Sequence, residues 1–468
     1  MIDSRMRRIA LSVAFGLLIW SLPVPLGVDL KAWQLFAIFV FTLALVISNA
    51  LPMGASTLLG LTFAVVTSTL TFQMAFAGYA NEVVWLVLTA FFISQGFILT
   101  GLAQRVAYLF MALLGKKSIG LGYGVVLSEL VLAPVIPSVT ARSGAIVYPI
   151  VKSLALNFHS SVEEKTTKKL GSYLVLVAFH AAAITSAMFL TAMAANPMAA
   201  NLAKHTHVEI TWGNWALFAI VPGLVCLLLL PMLIFFLSPP EIKNTPDALV
   251  IASSKLKEMG PMSKHEWLML FTFVGLLFLW IFGSVLQIKA VTAALLGLAF
   301  LMLTGVVQWK DLLSLTSAWD TFIWFGAFIA MAEGLNQLGI TKWFGMRVAE
   351  GVGDMPRTLS LIILLLIYFY VHYFFASSTA QVGALYLPFL LVALNLGAPA
   401  LITALLFGYA SSLFGGLTHY GFGSAPILFG SGFVSFQEWW RIGFIVSTVN
   451  LVIWVLVGLL WWSWLLAL

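Results

Sequence analysis

Charged residues are scarce in this 468-residue sequence: they make up 9% of it, while hydrophobic residues make up 62%. Soluble globular chains are usually about a quarter charged, so this chain has too little polar surface to cover itself in water. The stretch from Trp33 to Ala80 includes no Asp, Glu, Lys or Arg, and a membrane-spanning helix needs about 20 mostly apolar residues. The composition therefore excludes a soluble protein and predicts an all-α polytopic membrane protein.

Cysteine and catalytic motifs are equally sparse. Cys226 is the single cysteine and lies in an apolar run, which excludes disulfide bonds within the chain and cysteine-based metal sites. The sequence has no phosphate-binding loop ending in Lys-Ser/Thr, no His-Glu-x-x-His and no Gly-x-Ser-x-Gly. We therefore expect no enzyme, no catalytic residue, no cofactor and no bound metal. The net charge of +6 is spread over short loops, which indicates membrane topology and not a nucleic-acid partner.

Hydrophobic windows and their interruptions predict the organisation of the chain. Residues 1–30 are expected to hold a retained N-terminal helix, and 238–265, the most polar segment, is expected to be a cytoplasmic loop. Two long apolar stretches are interrupted at their middle, 119–158 and 357–397, and we predict a re-entrant hairpin in each. The other predicted helices lie near 8–26, 32–49, 54–72, 83–114, 171–200, 213–237, 266–285, 289–307, 320–348, 399–420 and 441–467.

This reading leaves about eleven full crossings besides the two hairpins. Lysines and arginines concentrate in loops that fall on one side if the N-terminus is inside, the side they favour in membrane proteins. Lys342, Arg347 and Arg357 are the main exceptions. We predict a cytoplasmic N-terminus and an external C-terminus in a bacterial inner (plasma) membrane.

An internal repeat relates the two predicted hairpins. The segment Ser138–Ala145, closing with Pro149, matches Ser377–Ala384, closing with Pro388, after a shift of 239 positions. The shared pattern Ser-x-Thr-Ala-x-x-Gly-Ala-x-x-x-Pro fixes six positions. The repeats would span 31–237 and 266–468, and five crossings in each would give them opposite orientations, an inverted repeat.

Small polar residues occupy the tip of each hairpin: Ser138, Val139 and Thr140 in the first, and Ser377, Ser378 and Thr379 in the second. Hydroxyls and backbone amides at a break inside the membrane can bind an anion, and carbonyls there can bind a cation. The alternative is that these residues only hydrogen-bond to backbone within helices. Two copies at matching breaks favour a binding site.

A second pair of breaks follows the hairpins. Thr191 and Asn196, with Pro197 behind them, interrupt one helix, and a glycine-rich run that includes Gly423 and Ser424 interrupts the other. Four half-helix ends would then meet near the middle of the membrane, where transporters bind substrate. A proline kink without a site is the alternative.

The chain resembles the divalent anion/sodium symporter family, the INDY-type dicarboxylate transporters, and within it the bacterial citrate/succinate and 2-oxoglutarate/malate exchangers. The resemblance rests on the two tips, on Ala318–Phe325 and on Thr185–Thr191. It implies an elevator-type homodimer in membrane lipid, whose tips bind the carboxylates of dicarboxylate or tricarboxylate substrates.

The tips depart from the family pattern Ser-Asn-Thr, because Val139 and Ser378 stand at the middle position. Arg142 and His372 lie close to the tips, and a fixed guanidinium could replace the positive charge of Na⁺. We therefore predict a sodium-independent exchanger, with a sodium-coupled dicarboxylate symporter as the alternative and an anion channel outside the transporters. Arg142 could instead extend to the aqueous side, and His372 could be a buried neutral imidazole.

Four further residues stay without an assigned role. Glu129 and Glu333 lie in or near predicted spans, where acids are rare and usually functional. His180 and His419 lie in the broken helices and are weak candidates for neighbours of the substrate.

Overall fold

The computed structural model describes residues 2–340, 343, 347 and 356–467. Within this part, all secondary-structure elements are helices. Lys342, which the charge pattern counts as an exception, lies outside the described residues, as does much of the end of the predicted helix 320–348. The all-α class predicted from composition is confirmed.

The helices of the first half begin close to the predicted boundaries. In chain order they are α1 (Ile2–Ser21), α2 (Leu30–Ile47), α3 (Met53–Val66), α4 (Phe72–Ala77), α5 (Glu82–Thr100), α6 (Leu102–Leu114), α7 (Ser118–Leu132), α8 (Tyr148–Asn157), α9 (Gly171–Met188), α10 (Ala195–Ala203) and α11 (Trp212–Leu237).

The helices of the second half follow the polar segment. They are α12 (Pro246–Glu258), α13 (Lys264–Ile281), α14 (Gly283–Leu286), α15 (Ala290–Leu303), α16 (Trp309–Leu313), α17 (Thr316–Gln337), α18 (Arg357–Tyr370), α19 (Ser378–Gln381), α20 (Leu387–Asn395), α21 (Ala400–Leu413), α22 (Ala425–Gly430) and α23 (Phe436–Ala467).

One predicted helix is wrong, and one predicted loop contains a helix. The predicted helix 83–114 is two helices, α5 and α6, because Gly101 between them has a φ of 78°, a left-handed conformation that an α-helix cannot include. The loop 238–265 contains α12. Pro246 stands in the first turn of α12 with Asp247, and Lys255 and Lys257 stand in its last turn, which is the charge order that the helix dipole favours.

The apolar helices are numerous enough for a polytopic membrane protein. Within the described residues, eight helical stretches of at least 18 residues are apolar enough to span a membrane, and five more apolar helices have 10–17 residues. The longest is α23, with 32 residues. Spanning requires about 20 residues, so the shorter helices reach only part of the way, and several of them belong to the interrupted segments.

The chain forms two compact units, each assembled from distant segments. Unit 1 comprises Met1–Leu88, Pro197–Ile210 and Leu315–Gly408, and unit 2 comprises Thr89–Asn196, Thr211–Ser314 and Tyr409–Leu468. Each unit takes segments from both sides of the polar loop, so the units do not coincide with the predicted repeats 31–237 and 266–468. The repeat remains a prediction about the order of elements along the chain.

Helix α9 forms the core of unit 2, since all 18 of its residues are buried. It packs against α7 and α11, and small residues such as Gly223 allow close contact: a Cβ at position 223 would lie 2.5 Å from Cγ of Met188. Because α9 is fixed on all sides, the unwound segment that follows Met188 is held in a defined place.

Helix α17 has the corresponding central position in unit 1, where it packs against α2 and α3. Gly78 allows the chain before α5 to approach the carbonyl oxygen of Gly326, and a side chain there would collide with it. The hydroxyl of Tyr79 donates to the carbonyl of Ile323 at 3.0 Å. These contacts anchor the short α4 segment on α17.

Candidate functional site

The first tip begins where α7 ends at Leu132. An irregular segment leads to Ser138, and a π-helical stretch, Thr140–Val147, continues into α8. The hydroxyl of Ser138 accepts a hydrogen bond from the amide of Ala141 at 3.2 Å, and its carbonyl accepts from the amide of Arg142 at 2.8 Å. Ser138 therefore caps the second arm of the hairpin in the way that serine caps ordinary helices.

The second tip, in unit 1, repeats this local path. The hydroxyl of Ser377 accepts from the amide of Ala380 at 3.4 Å, and its carbonyl accepts from the amide of Gln381 at 3.2 Å. A π-helical stretch follows here too, Val382–Tyr386, before α20. Short π-helical insertions are uncommon and occur often at functional sites. Their occurrence at matching positions supports the predicted repeat.

Arg142 lies wholly inside unit 2, with a solvent exposure of 0%. Its Nη1 donates to the carbonyl oxygens of Ile136 at 2.6 Å and of Ala192 at 3.1 Å. Its Nη2 donates to the hydroxyl of Ser186 at 2.9 Å. The guanidinium thus joins the tip of the first hairpin to the unwound segment after α9.

The charge of Arg142 is balanced by Glu129 on α7. Nε of Arg142 donates to Oε2 of Glu129 at 2.7 Å, and both side chains are fully buried. The sequence-based alternative in which Arg142 extends to the aqueous side is therefore wrong. Removing either partner would leave a buried charge, which is far costlier than an intact pair.

Thr191 reinforces the same junction. Its hydroxyl donates to the carbonyl of Pro134, before the first tip, and accepts from the indole nitrogen of Trp212 at 2.9 Å. The side chain is 2% exposed. Thr191 holds the two broken segments of unit 2 together, and its donor hydrogen is already used within the protein.

Asn196 is also engaged within unit 2. Its amide nitrogen donates to the carbonyls of Ser186 at 2.7 Å and Phe189 at 3.0 Å, and its amide oxygen accepts from the hydroxyl of Ser412 at 3.0 Å. These three partners lie next to breaks in the helices. Ser186 and Phe189 lie around the end of α9, and Ser412 lies one residue before the end of α21. Asn196 therefore fixes the second pair of breaks to each other.

The open side of this region contains Thr140 and Gly423, both exposed. A Cβ at position 423 would lie 2.5 Å from Oγ1 of Thr140, so the first tip touches the glycine-rich break closely. Ser138 is half-buried, and Val139 is 6% exposed and contributes an apolar side chain. Ser424, next to Gly423, is fully buried, and its hydroxyl has no hydrogen-bond partner. Thr140, Gly423 and the half-buried Ser138 are therefore the accessible residues at this junction, and Ser424 lies beneath them.

In unit 1, the side chain of Gln381 links two residues that precede the second tip. Its amide nitrogen donates to the carbonyl of Tyr368 at 2.7 Å, and its amide oxygen lies 2.7 Å from Nδ1 of His372. Since that oxygen accepts, Nδ1 of His372 carries a hydrogen. His372 is fully buried, Ser378 is 5% exposed, and Thr379, like Ser377, is half-buried.

The unassigned residues of the sequence have separate places. His180 is buried in α9, and its Nδ1 has no hydrogen-bond partner. His419 is half-buried and accepts at Nδ1 from the indole of Trp440 at 3.1 Å. Glu333 in unit 1 lies 3.5 Å from Nε2 of His205. The structure connects none of these side chains with the hydroxyls of the tip in its own unit.

Sequence reasoning missed the partners that hold the candidates in place: Glu129, Ser186, Trp212 and Ser412. A signal was available for Glu129. An acid and an arginine within uncharged membrane segments are expected to pair, because an isolated charge is costly there. The other three offered no signal, since serines and tryptophans are plentiful elsewhere in the chain.

Comparisons with known proteins also indicate a membrane transporter. The family model described as the sodium:sulfate symporter transmembrane region matches residues 3–468. The chain is 50% identical over 457 residues to the chloroplastic dicarboxylate transporter 1 of Arabidopsis thaliana, covering 97% of this chain and 82% of that protein. It is 34% identical to the inner membrane protein YbhI of Escherichia coli, covering 98% of each. The YdaH transporter of Alcanivorax borkumensis has a similar fold, with a TM-score of 0.58 and 12% identity over 99% of this chain and 97% of that one.

Proposed function

Because the chain belongs to the sodium:sulfate symporter family of membrane transporters, we propose that it exchanges small dicarboxylates or tricarboxylates across a bacterial inner membrane. The relatives named as dicarboxylate transporters support the substrate class, and the inner-membrane relative supports the location. Succinate, malate, 2-oxoglutarate and citrate are the substrates we would test first.

The observation that carries sodium independence is the position of the Arg142 guanidinium. In broken-helix transporters, unwound carbonyls coordinate the coupling cation. Here Nη1 of Arg142 donates to the carbonyls of Ile136 and Ala192, one at each of two breaks. A covalently attached cation therefore occupies carbonyl oxygens that could otherwise serve a metal ion, and we propose that Arg142 replaces sodium in unit 2.

His372 is proposed to have the same role at the second tip, where its imidazole meets Gln381. Within unit 2, Ser138, Thr140 and the edge at Gly423 are proposed to bind a substrate carboxylate, and Ser377, Ser378 and Thr379 are proposed as the carboxylate-binding residues of unit 1. Thr191 and Asn196 contribute by holding the breaks, since their donor hydrogens are already bound within the protein.

Exchange, as opposed to one-way transport, needs a reason for the unloaded protein to move slowly. A net charge on Arg142 does not supply it, because Glu129 balances that charge. The hydroxyl of Ser424 is buried without a partner, and such a group costs about 1–3 kcal/mol. We propose that a small shift of the tip lets a bound carboxylate accept from this hydroxyl, so that the loaded form gains free energy for movement that the empty form lacks. The proposal includes the elevator motion, the homodimer and the cytoplasmic N-terminus that the family resemblance and the charge pattern imply.

Counterflow in proteoliposomes tests the proposal. Vesicles loaded with unlabelled succinate should accumulate labelled succinate, and empty vesicles should not. The rate of accumulation in loaded vesicles should be equal in sodium and potassium salts. A requirement for a sodium gradient would identify a symporter. Uptake that neither saturates nor responds to internal succinate would identify a channel. The purified protein's mass in detergent would separately test the homodimer.

A further inference from the structure

The buried charges of unit 2 occur in two pairs. Among the described residues of this unit, the buried Lys, Arg, Asp and Glu side chains are Arg142 with Glu129 and Arg105 with Glu266. The first pair is joined at 2.7 Å and the second at 2.5 Å. Both arginines are therefore matched by a carboxylate, and the interior of unit 2 carries no net charge from these groups.

The first of these pairs lies beside the first tip, because Glu129 is on α7, which precedes the tip, and Arg142 is on the segment that follows it. The side chain of Arg142, two residues after Thr140, reaches back to the carbonyl of Ile136, two residues before Ser138. The guanidinium and the carboxylate bound to it are thus enclosed with the tip. Charges separated by a few residues interact strongly where protein excludes water. The summed charge of Arg142 and Glu129 therefore influences any anion that binds at Ser138 and Thr140.

We propose that Glu129 determines the charge of the substrate by cancelling Arg142, so that the site accepts dianions in preference to trianions. This inference rests on the proposed transport of carboxylates and narrows its substrate class to dicarboxylates. Glu129 has no contact with the open side of the tip, since it is fully buried behind Arg142. It acts through the arginine, as a specificity-determining residue and not as a ligand.

The matching pair of positions in the second repeat is uncharged. The position equivalent to Arg142 is occupied by Gln381, an uncharged side chain that bonds to the carbonyl of Tyr368. Tyr368 stands at the position equivalent to Glu129, since each pair is separated by 13 residues. At these two positions the first copy is neutral because its charges cancel, and the second because neither residue is charged; His372, the cation proposed for the second tip, lies outside this pair.

The test compares two competitors that differ in charge and little in shape. Tricarballylate is glutarate with a third carboxylate on its middle carbon, and 3-methylglutarate has a methyl group at the same place. At mildly alkaline pH the first is a trianion and the second a dianion. Their inhibition of succinate counterflow is measured for the parent protein, Glu129→Gln, Glu129→Gln/Arg142→Gln and Glu266→Gln.

The parent protein should be inhibited more strongly by 3-methylglutarate. In Glu129→Gln, where Arg142 is uncancelled, the ratio should shift toward tricarballylate by about tenfold. The double variant, neutral again, should return to the parental ratio. Glu266→Gln breaks the matched pair away from the tip and should leave the ratio unchanged, so a general loss of packing would not reproduce the shift.

Each outcome has a clear meaning. An unchanged ratio in Glu129→Gln, or an equal shift in Glu266→Gln, would overturn the inference. If Glu129→Gln does not fold, the parent protein still decides, because a preference for tricarballylate over 3-methylglutarate would overturn the proposed selectivity. Absence of succinate counterflow in the parent would instead contradict the proposed function, which keeps the two failures distinct.

Discussion

Gln381 donates to the carbonyl oxygen of Tyr368 at 2.7 Å, 13 residues upstream, and Arg142 donates to Glu129 at the same distance and the same separation. In each copy of the predicted repeat, the residue two positions after the tip threonine bonds to the first arm of its own hairpin. The spacing is shared and the chemistry differs, because one link is an ion pair between side chains and the other is a neutral hydrogen bond to a backbone carbonyl. The ion pair of Arg142 and Glu129 is therefore specific to the first of the two matching segments.

Replacing Arg142 by glutamine should destabilise the protein by about 3–5 kcal/mol, because it leaves the carboxylate of Glu129 buried without its partner. Exchange should also slow, to a rate that counterflow still measures, since Ile136 and Ala192 would no longer be joined. Arg142→Lys should recover only part of both, because an ammonium lacks the planar fork that serves several acceptors at once.

Thermal unfolding in detergent and succinate counterflow measure these effects. The double variant Glu129→Gln/Arg142→Gln should unfold at a higher temperature than Arg142→Gln alone, since it contains no unpaired charge. If the single variant were as stable as the double, the ion pair would not be the reason for the loss.

The breaks in the helices were predictable from the sequence, and their internal bonding was not. Glycine, proline and clustered hydroxyls interrupt apolar segments at 119–158 and 357–397, and the chain is irregular at both places. Which polar groups face a substrate depends on the packing of distant helices. Thr191 and Asn196 have polar side chains that could bind a substrate, yet Trp212 and Ser412 donate hydrogen bonds to them. Sequence spacing carries no information about those contacts.

Hydropathy also left one helix unpredicted, for a physical reason. The region 238–265 is polar, which indicates exposure to water, but polarity does not exclude a helix. Pro246 in the first turn of α12 and the lysines in its last turn favour helix formation. Capping signals would have located α12 where hydrophobicity could not.

Replacing Thr191 by valine should slow exchange and lower stability. The change removes the donor to Pro134 and the acceptor for Trp212, and each buried group left unsatisfied costs about 1–3 kcal/mol. Thr191→Ser keeps the hydroxyl and should behave nearly as the parent does in counterflow and thermal unfolding. Equal impairment of the valine and serine variants would show that the methyl group, and not the hydroxyl, matters.

His372 can be tested for charge separately from hydrogen bonding. Asparagine places an amide donor close to the position of Nδ1, so His372→Asn should preserve the bond to Gln381 and the unfolding temperature. Because it cannot become cationic, the KM for succinate should rise severalfold. His372→Ala should lose both properties. A parental KM in His372→Asn would identify His372 as a neutral donor, the alternative that the sequence left open.

Replacing Gly423 by alanine should impair substrate binding without unfolding the protein. The added Cβ would lie 2.5 Å from Oγ1 of Thr140, so the exposed side of the first tip must shift. Displacement of a binding group by about 1 Å can cost up to about a hundredfold, and we expect the KM for succinate counterflow to rise between about tenfold and a hundredfold. Gly430→Ala is the matched control, because a Cβ there meets nothing within 4 Å. If both variants had the same KM as the parent, Thr140 and Gly423 would not form part of the substrate site, and the proposed contacts at the first tip would have to be withdrawn.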